Sequence, residues 1–184
     1  MILMRHGQSE FNRHFSATRS DPGIIDPALT PDGHIQASRA AEALANHGLT
    51  QLIVSPYTRA LQTAEPFIAS CRLPARIDPL VRERYVFSCD IGSPPENLAE
   101  RFSHHDFSQL PPRWWPDALE SEESVIDRAS RFRAMMTSRD DWVSTLVVTH
   151  WAFILALTGV SVTNGSWIRY DPTTPPPKSL VWHP

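Results

Sequence analysis

Met1-Ile2-Leu3-Met4 runs straight into Arg5-His6-Gly7-Gln8-Ser9-Glu10-Phe11-Asn12. Four apolar residues that stop at an Arg-His-Gly read as a short buried strand delivering a cation and an imidazole to the edge of a sheet. Gly7 suits a sharp backbone turn or the close approach of a ligand. Ser9 and Asn12 suit a turn or a helix start. An open α/β sheet places its ligand outside the carboxyl ends of its strands, which is where this segment ends. A lone Arg-His at a strand end is ordinarily a solvated edge, but here the arrangement recurs. Ser144-Thr-Leu-Val-Val-Thr149 runs into His150, and Leu52-Ile-Val-Ser55 runs into Pro56-Tyr57-Thr58-Arg59. Chance rarely sets three buried-type strands each ahead of a residue able to bind a phosphate.

The 184 residues suffice for one domain with a sizeable core. A net charge of -3 gives no argument for nucleic acid or an anionic membrane as partner. No apolar run approaches the roughly 18 residues of a membrane span. Arg5 and His6 interrupt the N-terminal apolar stretch, which argues against a signal peptide and makes the cytoplasm the expected compartment. Cys71 and Cys89 make no disulfide framework and read as buried or free thiols.

Helices and strands alternate along the chain, which predicts a mixed, mostly parallel sheet. Strands are expected at 51–54, 75–78 and 144–149, with two last ones at 166–170 and 179–182. Thr30 and Pro31 open a helix whose apolar face is Ile35, Ala37, Ala40, Ala41, Leu44 and Ala45, with Gly48 as its stop. Further helices are expected at 57–70, at 120–138 (with Val125, Ile126, Ala129, Phe132, Met135 and Met136 inward) and at 151–157. Residues 13–28 read as an irregular loop. From about 82 to 118, prolines, charges and aromatics mix without a period, and this stretch is expected to form a lid on a single domain spanning 1–184, with a short helix near 95–102.

A phosphate monoester is a dianion, so its hydrolysis needs positive charge, a nucleophile and a proton for the leaving group. Arg5 and Arg59 can grip phosphate oxygens bidentately. His6 suits the nucleophile, since a neutral imidazole attacks well near neutral pH and splits the reaction through a phosphoramidate. His150 suits a hydrogen-bond donor to the phosphoryl group. Two arginines and two imidazoles supply the positive field, so neither a metal nor any other cofactor is called for.

Leu3-Met-Arg-His-Gly-Gln-Ser-Glu-Phe-Asn12, Leu29-Thr-Pro-Asp-Gly-His-Ile-Gln-Ala37, Ser55-Pro-Tyr-Thr-Arg-Ala-Leu-Gln-Thr-Ala64 and Val147-Val-Thr-His150 occur in that order. Together they resemble the motifs of the histidine phosphatase superfamily, also called phosphoglycerate mutase-like. The resemblance implies a three-layer α/β/α fold and a phosphate pocket of Arg5, His6, Arg59 and His150, with His6 transiently phosphorylated. It also implies phosphate contacts for Asn12 and Ser9, and Glu83 as the proton donor. Asp90 is the rival acid, and Glu83 alternatively pairs with Arg82 or Arg84 at the surface. One departure is plain: many members have Gly after the second histidine, and here Trp151 follows.

The expected activity is a metal-independent phosphomonoesterase on a small phosphorylated substrate. A phosphoglycerate mutase and a non-catalytic phospho-ligand binding module are the alternatives. His104-His105 reads as a solvated pair, and Trp114-Trp115-Pro116 either stacks on substrate or clamps the lid. Arg82, Arg84, Arg101 and Arg113 either meet a second anion or solvate the surface. His14, His34, His47 and His183 receive no role.

Overall fold

The computed structural model describes residues 1–71, 73 and 75–182, the side chain of Cys71 apart, so that the readings of Cys71 and His183 lie outside the described residues. The elements in order are β1 (Ile2–Arg5), α1 (Glu10–Thr18), α2 (Pro31–Leu44), β2 (Gln51–Val54), α3 (Thr58–Cys71) and β3 (Ala75–Ile77). They continue with α4 (Pro95–Arg101), α5 (Glu122–Thr137), β4 (Thr145–Thr149), α6 (Trp151–Thr158) and β5 (Trp167–Arg169).

Alternation along β1 sorts the layers. Ile2 and Met4 belong to one apolar cluster and Leu3 to another, the two-residue period of a strand buried on both faces. The described strands are ordered β3-β2-β4-β1-β5, parallel throughout except for β5. α2, α3 and α4 cover the face carrying Met4, Val54 and Val148. α5 and α6 cover the face carrying Leu3, Ile53 and Val147, with Phe132 packed edge-on against Phe153. This is the expected three-layer α/β/α arrangement.

Several expectations need correction. Residues 13–28 are not all loop, because α1 runs to Thr18. Ser9 and Asn12 close a capping box at its start, and Phe11 stacks on Phe15 one turn later. Residues 179–182 form no strand; Leu180 and Trp182 instead pack their side chains on Trp151. α2 ends at Leu44, so Ala45 is exposed and Gly48 lies in the turn beyond. Ile35 and Ile126 are also exposed, each on the solvent side of its helix. Of residues 82–118, Glu83, Arg84, Val86, Phe87, Cys89 and Asp90 line a cavity, while Leu98, Phe102, Phe107, Leu110 and Trp114 join the core under α3. Trp114 packs on Tyr57 and Gly92, which matches a clamp and not a substrate stack.

Gly7 serves a close approach, but to backbone rather than to ligand. A Cβ built on Gly7 would lie 2.4 Å from the Gly33 carbonyl oxygen, and one on Gly33 would lie 2.1 Å from the Gln8 carbonyl oxygen. The loop after β1 is thus pressed against the first turn of α2. Judged on helix propensity alone, Gly33→Ala gains roughly 0.5–1 kcal/mol. Here it is expected to lose about 1–3 kcal/mol, because backbone must move on both sides of the contact. Denaturant unfolding of the variant measures the sign directly.

Candidate active site

The carboxyl ends of β1, β2 and β4 bring the reacting groups together. Strand pairing continues one residue past each end: His6 donates its N–H to Thr149 O (3.0 Å) and Ser55 to Val148 O (3.1 Å). His6 and His150 consequently stand side by side, buried, with ring centroids 5.0 Å apart.

Nδ1 of His6 is 2.7 Å from the Gly7 carbonyl oxygen. A carbonyl only accepts, so Nδ1 carries the hydrogen and Nε2 keeps its lone pair. Burial first, then the guanidinium groups of Arg59 and Arg5, push the His6 pKa well below the usual imidazole range. His6 is therefore neutral and nucleophilic at neutral pH. Burial, followed by Arg59, likewise lowers His150. Its Nε2 is 2.7 Å from Ser55 Oγ, and its Nδ1 has no partner among the described residues. With Ser55 donating to Nε2, Nδ1 carries a hydrogen that a phosphoryl oxygen could accept.

Arg5 donates Nη1 to Val162 O (2.9 Å), and its buried Nε has no partner among the described residues. Arg59 donates Nη1 to Cys89 O (2.7 Å) and pairs Nη2 with Asp90 Oδ1 (3.2 Å). Its guanidinium lies 4.3 Å over the Tyr57 ring. The second Asp90 oxygen accepts the N–H groups of Val86 and Phe87, both at 3.0 Å. Asp90 thus anchors Arg59 and its own turn.

Among the described residues, the Glu83 carboxylate pairs with no guanidinium. It accepts the N–H of Arg84 (2.8 Å) and that of Ala152 in the first turn of α6 (3.0 Å). Burial, then the charge of Asp90, raise its pKa to about 7 against the pull of the Arg84 amide and of Arg59 and Arg5. A carboxyl group that keeps its proton up to neutral pH can hand it to a leaving alkoxide.

Ser9 and Asn12 line the same cavity of about 280 Å³. The Ser9 hydroxyl is occupied by the start of α1, accepting the Asn12 N–H at 3.2 Å. Asn12 Oδ1 accepts from the Ser9 N–H, the Ser9 hydroxyl and Asn164 Nδ2, which leaves its NH₂ as the group for an anion. The Trp151 ring is tied back by Nε1 to Ser161 Oγ (2.9 Å) and forms cavity wall. His104 and His105 lie elsewhere, beside Glu65, and the His105 side chain is 2% exposed, not solvated as expected.

Sequence reasoning missed the residues that hold these groups. Asn164 donates to the His6 carbonyl at 3.2 Å. Thr63 Oγ1 accepts the Gly7 N–H (3.0 Å) and donates to Arg59 O (2.7 Å). Arg128, 1% exposed, forms two bonds to Glu120 and donates to the carbonyls of Leu80 and Arg82, both at 2.9 Å. Glu120 also binds Arg82 at 2.8 Å. This buried network fixes the backbone on either side of Glu83.

A family model described as the histidine phosphatase superfamily (branch 1) matches residues 1–173. A glucosyl-3-phosphoglycerate phosphatase from Mycolicibacterium vanbaalenii is 30% identical over 92% of this chain and 82% of its own length. A probable phosphoglycerate mutase from Proteus mirabilis is 38% identical, but over only 45% of this chain and 37% of its own. The solved structure of a mycobacterial glucosyl-3-phosphoglycerate phosphatase with inorganic phosphate matches with a TM-score of 0.61 and 21% identity, over 91% of this chain and 86% of that one.

Removing Arg128 takes both of its bonds from Glu120, which keeps Arg82, and leaves the carbonyls of Leu80 and Arg82 without this donor. Arg128→Met is expected to cost about 3–5 kcal/mol of stability in chemical denaturation, the scale for breaking a buried pair from one side.

Proposed function

The chain belongs to the histidine phosphatase superfamily, and on that premise we propose that it is a metal-independent phosphoric monoester hydrolase working through a phosphohistidine on His6. The observation that carries the reading is the pairing of a neutral, tautomerically fixed His6 with a half-buried Glu83 whose pKa lies at about 7.

Arg5, Arg59, His150 and the Asn12 amide hold the phosphoryl oxygens, with Ser9 supporting Asn12. Nε2 of His6 forms a bond to phosphorus while the ester P–O bond breaks. The leaving alkoxide takes the proton of Glu83. In the second half, the Glu83 carboxylate removes a proton from water as that oxygen attacks phosphorus, and the P–N bond breaks to return neutral His6 and inorganic phosphate. The positive charge that His6 gains when phosphorylated is tolerated because the phosphoryl group brings negative charge with it. Asp90 serves as the anchor of Arg59. Residues 83–90 are the substrate-facing part of the 82–118 segment. The small phosphorylated substrate is the only partner this reading needs. Among the described residues, no helix is long and apolar enough to cross a membrane.

His6→Ala is expected to abolish turnover of a phosphate monoester, and activity of the unaltered enzyme is expected to survive a chelator. Rapid quenching in alkali, where phosphohistidine persists, should trap one labelled phosphoryl group on the protein. Activity retained by His6→Ala overturns the mechanism. With an alkyl ester, whose leaving group needs the proton, the phosphorylation step is expected to slow as pH rises through about 7, the value at which Glu83 loses its proton. Glu83→Gln should remove that alkaline limb and lower the rate by roughly 10²–10⁴-fold.

A further inference from the structure

The cavity that holds His6 is lined by two chemically different kinds of group. Arg5, His6 and Arg59 supply the polar part. Two sets of aromatic rings supply the rest. Phe11 stacks on Phe15 at 5.4 Å, Phe87 lies 5.1 Å from Phe15, and Trp151 meets Trp182 nearly edge-on at 6.4 Å. Phe15, Phe87 and Trp182 are only partly buried, so these rings still offer surface to something else.

Two guanidinium groups stand beside these rings: Arg19 lies 5.9 Å over Phe15, outside the cavity lining, and Arg84 lines the cavity with its guanidinium 5.4 Å over the Trp182 ring. Its Nε donates to Glu120 O (2.9 Å) and its Nη1 pairs with Glu122 (3.1 Å). A substrate carrying a carboxylate or second phosphate would compete with Glu122 and the Glu120 carbonyl for Arg84, the guanidinium that lines the cavity beyond Arg5 and Arg59. A sugar can lay its C–H face on such a ring, but the phenyl rings of Phe11, Phe15 and Phe87 offer its outward hydroxyl groups no hydrogen-bond partner, so any hydroxyl buried against them carries a desolvation cost. An apolar ring, by contrast, gains burial and offset or edge-to-face stacking. The volume of about 280 Å³ suits a compact molecule, not a peptide or polymer.

We propose that the natural substrate is the monophosphate ester of an apolar, ring-bearing alcohol, its ring seated among Phe15, Phe87 and Trp182 while the phosphoryl group lies on His6. The inference rests on the phosphatase reading above. It separates this chain from a phosphoglycerate mutase, whose substrate needs a seat for its carboxylate.

The test compares phenethyl phosphate, glycerol phosphate and phosphoglycerate, esters of alcohols that all leave as alkoxides. The kcat/KM for phenethyl phosphate is expected to exceed the other two by about 10- to 100-fold, the scale of burying one ring, and mainly through KM. Phe15→Ala and Trp182→Ala should each shrink that ratio, while Phe15→Leu, which keeps apolar surface, should retain most of it. Equal or better hydrolysis of glycerol phosphate or phosphoglycerate by the unaltered enzyme overturns the substrate class and leaves the phosphatase reading standing. Conversion of phosphoglycerate to its isomer without net phosphate release overturns both in favour of the mutase. If no ester is cleaved, the phosphatase reading itself fails and the inference falls with it.

Discussion

Parallel pairing of two short strands is the constraint on which everything else hangs. Arg5 stands opposite Thr149 in the register of β1 and β4, so the residues that follow, His6 and His150, must emerge together at one edge. A slip of one residue would send each side chain to the other face of the sheet. Because both strands are buried on both faces, the imidazoles are delivered into a site with little water around them. Burial and two nearby guanidinium groups then remove the option of protonation. The reactivity proposed for His6 is in that sense a by-product of where the core stops.

The same burial has opposite consequences for folding on the two kinds of group. His6 and His150 are held neutral in the fold, while unfolded histidine binds a proton below about 6.5. They therefore draw stability away as pH falls below that value. Glu83 is the reverse case: unfolded it ionises near 4.5, folded at about 7, so between those values it draws stability away as pH rises. The site is tolerable to the fold because Arg5 and Arg59 are matched by Asp90 and by carbonyl acceptors, and because Glu120 and Arg128 satisfy each other.

What the sequence revealed follows from locality. Arg5, His6, Arg59 and His150 sit at or just past the ends of apolar runs, so a strand pattern was enough to bring them to one edge. Glu83 was reachable through the family resemblance, with Asp90 as its rival, although its freedom from Arg82 and Arg84 depends on Glu120 and Arg128, far along the chain. Asn164 and Ser55 act through bonds across more than ninety positions, and nothing local marks them. The errors have the same origin. α1 is specified by a capping box that was legible at Ser9 and Asn12 but gave no length. Ile35 and Ile126 satisfy helical spacing and still face solvent, because the packing partner decides which apolar stripe is used. Residues 179–182 have strand-like composition but meet Trp151 instead of a sheet edge.

Cys89 lines the cavity beside Arg59, a place where a thiol would ordinarily be activated. Here burial, and next the negative charge of Asp90, raise its pKa far above the thiol range, and its S–H points a hydrogen bond at the Asp90 carboxylate. Peroxide and alkylating agents react with thiolate, and this sulfur is held as thiol. With the proposed nucleophile an imidazole and its neighbouring sulfur held protonated, the electrostatics that hold Arg59 in place would also shield the proposed centre from oxidation at Cys89.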